Sequence, residues 1–266
     1  MSKNSLFYWE IEHMDIKNNL MTTTLTTPYM YYNSAPGISQ EGEKLFKKAQ
    51  ELFDKHDIAQ AVETYKLALE RDPQSSHILC NLGALLAAQG IFNEGIKVLK
   101  KAIEIDEKNA AAHYNLGTLF VSNGLTGPAQ EHLLKAYEID PQSAPISNNL
   151  GILYLHTKEY DKAAQHFEET IKKHPDFDYA YHNLGTLAYD QNKFDEAIAW
   201  FQKALEKNPN NYATYNDLGC TYFLEGKVEK ALDMIKKSIT LNPQYRMPYY
   251  NLGYIVYSKN LLTLAN

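Results

Sequence analysis

Cysteine, positive charge and long apolar runs are all scarce in this sequence. Of its 266 residues, only Cys80 and Cys220 are cysteines, and their wide separation provides neither a disulfide framework nor a CxxC metal or redox pair. No apolar stretch approaches the roughly 20 residues that a membrane-spanning helix needs. The opening stretch, MSKNSLFYWEIEH, has too few apolar residues for a secretory signal. We therefore expect a soluble, cytoplasmic protein with no membrane partner.

The shortage of positive charge bears on nucleic acid binding. Lys and Arg number 26 while Asp and Glu number 32, which gives a net charge of −6. Sequence-independent binding to nucleic acid needs basic side chains that neutralise phosphates, so the sequence predicts no nucleic acid partner. With 44% hydrophobic and 22% charged residues, the composition is typical of a folded, globular protein.

Motifs for catalysis, metal binding and cofactor binding are also missing. The stretch GISQEGEK at 37–44 places Glu43 where the GxxxxGK phosphate-binding loop requires lysine. The nine histidines show no HExxH or other paired spacing of metal ligands, and the sequence contains no GxSxG nucleophile motif. We expect a non-enzymatic protein with no catalytic residues, no metal and no cofactor.

The sequence does contain an internal repeat of 34 residues. The tripeptide NLG occurs at 81–83, 115–117, 149–151, 183–185 and 251–253, and DLG occurs at 217–219. A constant period of this size is the signature of a repeat protein. With Gly83 as position 8, the full frames are 42–75, 76–109, 110–143, 144–177, 178–211 and 212–245. We therefore expect residues 41–266 to form an array of six full repeats and a partial seventh.

Each frame predicts a pair of helices. Positions 4, 7, 8 and 11 lie on one face of a first helix, helix A, and positions 20, 24 and 27 lie on one face of a second, helix B. In the fifth frame these positions hold Tyr181, Leu184, Gly185, Ala188, Ala197, Phe201 and Ala204. Small residues opposite large ones allow the two helices to approach closely as a hairpin. Proline at position 32 ends helix B in five of the six full frames, while Glu107 replaces it in the second and leaves that boundary less defined.

This pattern of NLG at positions 6–8, alanine at 20, an aromatic or aliphatic residue at 24 and proline at 32 resembles the tetratricopeptide repeat (TPR) family. The resemblance covers about residues 42–266, with one departure, since the family's tryptophan at position 4 is absent. It implies an all-α, right-handed superhelical solenoid of stacked helix-turn-helix units, in which helix A lines a concave groove.

Asparagine recurs at position 6, beside the packed face of helix A, although it is a mediocre helix former. The row consists of Asn81, Asn115, Asn149, Asn183 and Asn251, with Asp217 in the sixth frame. A carboxamide both donates and accepts hydrogen bonds, which matches the N–H and C=O groups of an extended peptide. Helices ~8–10 Å apart and a peptide rise of ~3.3 Å per residue would let each asparagine bind every second or third ligand residue. The alternative is that these asparagines bond within the array.

The row also resembles the asparagine ladder in the TPR region of O-linked N-acetylglucosamine transferases, where such asparagines hold the backbone of the substrate. The other candidate peptide-binding residues are Tyr114, Tyr179, His182, Tyr189, Phe223, Tyr250 and Tyr254. We therefore interpret the chain as a non-enzymatic adaptor that binds an extended segment of another protein in the concave groove. Two alternatives stay open: a self-associating scaffold, forming a homo-oligomer through its apolar C-terminal edge, and a targeting subunit whose catalytic partner, for example a glycosyltransferase, is another chain.

Residues 1–40 lack the repeat and are rich in threonine, tyrosine and turn-forming residues. We expect them to form a poorly ordered N-terminal extension. Their aromatic residues, among them Tyr29, Tyr31 and Tyr32, leave the alternative that this segment folds back onto the array.

Overall fold

The structure is a computed structural model that describes residues 29–31 and 37–264, with side chains as far as residue 258. Most of the segment 1–40 therefore lies outside the described residues. The described chain forms thirteen helices and no strand. In order these are α1 (Gln40–Asp54), α2 (Ile58–Arg71), α3 (Ser76–Ala88), α4 (Phe92–Ile105), α5 (Ala110–Ser122), α6 (Thr126–Ile139), α7 (Ala144–His156), α8 (Tyr160–Lys173), α9 (Asp178–Asp190), α10 (Phe194–Lys207), α11 (Tyr212–Leu224), α12 (Val228–Leu241) and α13 (Met247–Leu264).

The helices follow the 34-residue period. In the five frames between residues 76 and 245, helix A covers positions 1–13 and helix B covers positions 17–30. In the first frame helix A begins earlier, at Gln40, where the Ser39 side chain accepts a hydrogen bond from the Gly42 N–H and so caps the helix. The all-α fold of repeated helical hairpins that the sequence predicts is confirmed.

A three-residue turn joins helix A to helix B in each full frame, and its middle residue has a left-handed backbone. The φ angles are 78° at Gly90, 72° at Gly124, 74° at Gly226, 61° at His56, 62° at Lys158 and 60° at Asn192. Residues other than glycine adopt this conformation at a free-energy cost. The hairpin therefore imposes the reversal even in the frames whose sequence lacks glycine there.

Helix B ends at the same position whether or not proline follows it. The helix α4 ends at Ile105, in register with the helices that precede a proline, although Glu107 stands at position 32. The Asn109 N–H donates to the Asp106 carbonyl, as the Ser75 N–H does to Asp72 in the preceding frame. The shared turn, and not proline alone, fixes this boundary.

The described residues form two compact units, one within residues 25–158 and one within residues 159–266, here called the N-terminal and C-terminal units. The core of the N-terminal unit includes Phe46, Tyr65 and Leu85, and that of the C-terminal unit includes Phe201 and Ile235. Each unit thus has its own buried core of helix A and helix B side chains.

The repeated glycine at position 8 marks the closest approach within a hairpin. A Cβ atom at Gly117 of α5 would lie 2.7 Å from Leu133 Cγ and 3.1 Å from the Leu133 backbone nitrogen in α6. Leu133 is fully buried, so neither its side chain nor its backbone has room to retreat. A larger residue at position 8 would therefore push the two helices apart.

This packing predicts different effects for two glycines of the same hairpin. Gly117→Ala should destabilise the protein relative to Gly127→Ala by about 1–3 kcal/mol, the typical cost of overpacking a core. Gly127 is the matched control because it is also helical, on α6, but a Cβ there would have no atom within 4 Å. Thermal unfolding of both variants checks this, and equal shifts in melting temperature would contradict the packing account.

Candidate functional site

Residues 29–31 lie along the N-terminal unit and are paired with two asparagines of the position-6 row. The Tyr31 N–H donates to Asn81 Oδ1 at 2.8 Å, and Asn81 Nδ2 donates back to the Tyr31 carbonyl at 2.9 Å. Asn115 makes the same two bonds with Tyr29, both at 2.9 Å. The N–H and C=O groups of one residue point the same way in an extended chain. Two carboxamides therefore hold the main chain of alternate residues.

Neighbouring side chains fix the orientation of both carboxamides. Asn81 Nδ2 also donates to the Tyr65 hydroxyl at 3.0 Å, and Asn115 Nδ2 to Cys80 Sγ at 3.4 Å. A carboxamide nitrogen carries two protons, so one bonds within the array and the other reaches the segment. Burial raises the pKa of Cys80 to about 12, which keeps this sulfur a neutral thiol and a weak acceptor.

The side chains of the segment are also held. The Tyr31 ring stacks on the His77 ring, with centroids 3.7 Å apart and planes 6° apart, and its hydroxyl donates to Asn109 Oδ1 at 3.0 Å. Met30 points into the core of the N-terminal unit, where it is 7% exposed and belongs to the cluster around Phe46. Each of these two side chains therefore has its own position in the array.

Two more residues complete the contacts. The Tyr29 ring meets the buried Tyr114 ring edge to face, with centroids 6.1 Å apart, and Gln50 Nε2 donates to the Tyr31 carbonyl. We call the residues that hold the segment the segment site: Gln50, His77, Asn81, Asn109, Tyr114 and Asn115. They come from α1, α3, the N-cap of α5, and α5 itself.

Sequence reasoning singled out Asn81, Asn115 and Tyr114 as binding residues but not Gln50, His77 or Asn109. Gln50 and His77 occupy positions 9 and 2 of helix A, outside the packed positions 4, 7, 8 and 11, so periodicity offered a signal for both. Asn109 precedes helix A and caps it, since its side chain accepts from the Ala112 N–H at 2.7 Å. Asparagine is a common N-cap residue, so the cap alone accounts for an asparagine at position 109. Nothing in the sequence therefore indicated its hydrogen bond with the Tyr31 hydroxyl.

Two position-6 asparagines outside the segment site, Asn149 and Asn251, bond within the array. Asn149 Nδ2 donates to the Tyr114 hydroxyl and to Thr118 Oγ1, both at 3.0 Å, so both of its protons are used. Asn251 Nδ2 donates to Asn216 Oδ1 at 2.9 Å, and Asn183 is fully buried. The residue at position 5 of the preceding frame recurs as the partner: Cys80 for Asn115, Tyr114 for Asn149 and Asn216 for Asn251.

Asp217, the acidic member of the row, is buried in the C-terminal unit. Its Oδ1 accepts from Asn216 Nδ2 at 2.9 Å, and its Oδ2 lies 3.5 Å from Nε2 of His182, which is also buried. His182 Nδ1 lies 2.9 Å from Thr214 Oγ1. Burial raises the pKa of Asp217 to about 8, although the bond from Asn216 opposes this shift. The carboxyl group is therefore mostly protonated at neutral pH.

The remaining candidate residues belong to the C-terminal unit and differ in exposure. Tyr189 is 3% exposed and packs edge to face on Phe194. Tyr179 is half-buried, as are Phe223 and Tyr254, which meet edge to face. Tyr250, on α13, is 58% exposed. Of these side chains, Tyr250 offers the most surface to a partner.

Comparison with protein families identifies the repeat. Models described as tetratricopeptide repeat match residues 45–75, 114–176, 148–212 and 200–233, and a model described as TPR repeat matches residues 87–124. Together they cover well over half of the chain. The chain belongs to the tetratricopeptide repeat family. TPR proteins bind other proteins, and the TPR fold is typically a non-catalytic interaction scaffold.

Solved structures share the TPR fold. A TPR protein from Parabacteroides merdae matches with 24% identity and a TM-score of 0.68, over 84% of this chain and 88% of that chain. PilW, described as a widely conserved type IV pilus biogenesis factor, matches with 16% identity and a TM-score of 0.71, over 80% and 99%. MamA matches with 30% identity and a TM-score of 0.51, over 64% and 92%. No curated protein sequence matches the chain.

The described part of this TPR protein also bears on membrane and metal sites. None of its helices there combines the length and the apolar character needed to cross a membrane. Nor do three or more His, Cys, Asp or Glu side chains meet there in a group that could hold a metal ion. Among the described residues, the segment site is where side chains of the array bond to the main chain of Tyr29 and Tyr31.

The buried carboxyl group predicts a pH-dependent stability that Asp217→Asn should remove. This group titrates near 3.8 in the unfolded chain and at about 8 in the folded protein. Between these values unfolding lets it ionise, so the free energy of unfolding falls as pH rises, by up to about 1.4 kcal/mol per pH unit. Asp217→Asn should lie within about 1 kcal/mol of the native protein at pH 4 and exceed its stability by about 4 kcal/mol at pH 7, since roughly three pH units separate pH 7 from the unfolded pKa.

Urea unfolding of both proteins at pH 4, 5.5 and 7 provides the measurement. The difference between the two curves isolates residue 217 from the other titrating groups. A variant that is less stable than the native protein at pH 7 would contradict this account, because it would indicate an ionised Asp217 paired with protonated His182.

Proposed function

We propose that this TPR protein is an adaptor that binds an extended segment of another protein through the segment site. The observation that carries the proposal is the pair of two-bond contacts that Asn81 and Asn115 make with the main chain of Tyr31 and Tyr29. Because main-chain groups are common to all residues, such contacts favour an extended conformation over a particular sequence.

The spacing of the contacts supports a ladder that follows the peptide. Asn81 and Asn115 are one repeat apart, on α3 and α5, and they hold residues two positions apart in the segment. Two residues of extended chain span roughly 7 Å, which is close to the ~8–10 Å between packed helices. The repeat therefore delivers one carboxamide for every second residue of the ligand.

The partner is another protein, recognised through its main chain. To make the same four hydrogen bonds, the partner's segment must be extended and must expose N–H and C=O groups along one edge. The same contacts support a non-enzymatic role, because they hold a main chain through carboxamide side chains.

Removing the two carboxamides tests this function. Because residues 29–31 fill the site, the test uses the full chain with Tyr29→Pro and Tyr31→Pro, called the opened chain, which lacks both N–H donors and both rings of the segment. The probe is a fluorescently labelled peptide with the sequence of residues 26–34, TTPYMYYNS. Asn81→Ala with Asn115→Ala should weaken binding to the opened chain by about tenfold or more, since four hydrogen bonds of ~0.5–1.5 kcal/mol are lost.

Asn123→Ala in the same opened chain is the matched control. Asn123 follows α5 and its Nδ2 donates to the Leu119 carbonyl, away from the segment contacts. The Asn123→Ala change should leave the affinity for the labelled peptide, measured by fluorescence polarisation, unchanged. Circular dichroism should show equal helix content in all the variants. Equal binding by the Asn81→Ala, Asn115→Ala variant and the control would reject the proposed function.

A self-associating scaffold is the second candidate, and exposed residues of α13 favour it. Tyr249 is 47% exposed, Tyr250 58% and Val256 42%, and neighbouring apolar side chains of this size can form an interface. Light scattering at rising protein concentration should then show oligomers that Tyr250→Glu dissociates. A mass that stays that of a monomer at high concentration would exclude this candidate.

A further inference from the structure

The contacts of the segment's side chains go beyond what main-chain binding requires. Stacking on His77 needs a flat ring at residue 31, and the bond to Asn109 needs a hydroxyl at the far edge of that ring. Tyrosine is the residue that supplies both. The edge-to-face contact with Tyr114 favours a second aromatic ring at residue 29.

The central residue of the segment has a different environment. Met30 is 7% exposed and packs in the cluster that contains Phe46, Leu82 and Leu85. A charged or polar side chain buried there without a partner would lose free energy. Successive side chains of an extended chain point to opposite sides. A segment with an apolar residue between two tyrosines can therefore place the apolar side chain in the core and both rings against His77 and Tyr114.

The charge of the site points the same way. Apart from the apolar cluster around Met30, the side chains that contact residues 29–31 are carboxamides, the His77 ring and the Tyr114 ring, so none of the described contacts to the segment is an ion pair. Asn109 Nδ2 is buried and has no hydrogen-bond partner among the described residues, which leaves one donor for an acceptor on a ligand. The site therefore fits an uncharged aromatic segment better than an acidic or basic one.

The occupant in this structure is part of the same chain. Only residues 32–39 separate Tyr31 from the start of α1 at Gln40. A tether of this length gives an effective concentration of about millimolar, so this segment occupies the site whenever its own dissociation constant is lower than that. A partner's segment must therefore displace it.

We propose that the segment site selects an extended tyrosine–apolar–tyrosine sequence in a partner protein, and that residues 29–31 are an intramolecular copy of this ligand that holds the site until the partner replaces it. This inference rests on the proposed function, because the same asparagines hold both chains. It adds to that function the kind of sequence that the partner must contain, and it explains why residues 29–31 lie in the segment site.

Displacement is tested by comparing the native chain with the opened chain. The labelled peptide of residues 26–34 should bind the opened chain at least about tenfold more tightly, because no tethered competitor remains. A second full-length variant, Met30→Asp, should also bind more tightly, since it disturbs the apolar contact but keeps both N–H donors. All three proteins should have the same helix content, because residues 29–31 lie outside the helices. Equal affinities of the native chain and both variants would overturn the proposal.

Selectivity is tested with peptides whose main chain is unchanged. Against the opened chain, a peptide with Tyr29→Ser and Tyr31→Ser should bind at least about tenfold more weakly than the parent peptide. A Tyr31→Phe peptide should lose about threefold to tenfold, the worth of one hydrogen bond.

The two proposals fail in different ways. If the serine peptide binds as tightly as the parent peptide, the selectivity proposed here is wrong, while the main-chain contacts of the proposed function stand. If Asn81→Ala with Asn115→Ala leaves the affinity of the opened chain unchanged, the proposed function itself is wrong. If the parent peptide does not bind the opened chain at all, both proposals fall.

Discussion

The close approach of helix A to helix B at position 8 is the constraint on which the other features depend. With no Cβ atom at Gly117, Leu133 can lie directly against the backbone of α5. This contact sets the thickness of a hairpin, and the left-handed turn residue sets its reversal. Within the N-terminal unit, repetition of the same hairpin then places α3 and α5 side by side, each with its position-6 asparagine toward the segment. The regular spacing of the position-6 side chains is a consequence of that packing.

The row becomes a ladder because the repeat and an extended peptide have compatible spacings. One helix A to the next is close to two residues of extended chain, so Asn81 and Asn115 reach Tyr31 and Tyr29 in turn. A carboxamide is suited to this task because its single plane carries a donor and an acceptor. Its second proton bonds to Tyr65 or Cys80, which orients the group before any chain arrives.

The helical hairpins could be predicted from the sequence because their determinants are local and repeated. Gly83 and its equivalents recur at a fixed spacing, and the helices begin and end accordingly. The binding role of position 6 could be proposed for the same reason. The pairing of Tyr29 with Asn115 could not be placed, because the two residues are 86 positions apart and no periodic signal links a segment outside the repeat to one inside it. Asn109 was hidden because its capping role already accounts for it.

The members of the row differ because neighbouring side chains decide how many of the two carboxamide protons bond within the array. Cys80 is a weak acceptor at 3.4 Å, and Asn115 keeps one strong donor for the segment. Tyr114 and Thr118 take both protons of Asn149, so this residue would have to break a bond before it could donate to a ligand. At Asp217 the carboxamide is lost altogether and a buried carboxyl group takes its place. Identical asparagines at one repeat position therefore have different hydrogen-bond environments. What separates Asn149 from Asn115 is position 9 of the preceding repeat, which holds the acceptor Thr118 for Asn149 and Ala84 for Asn115.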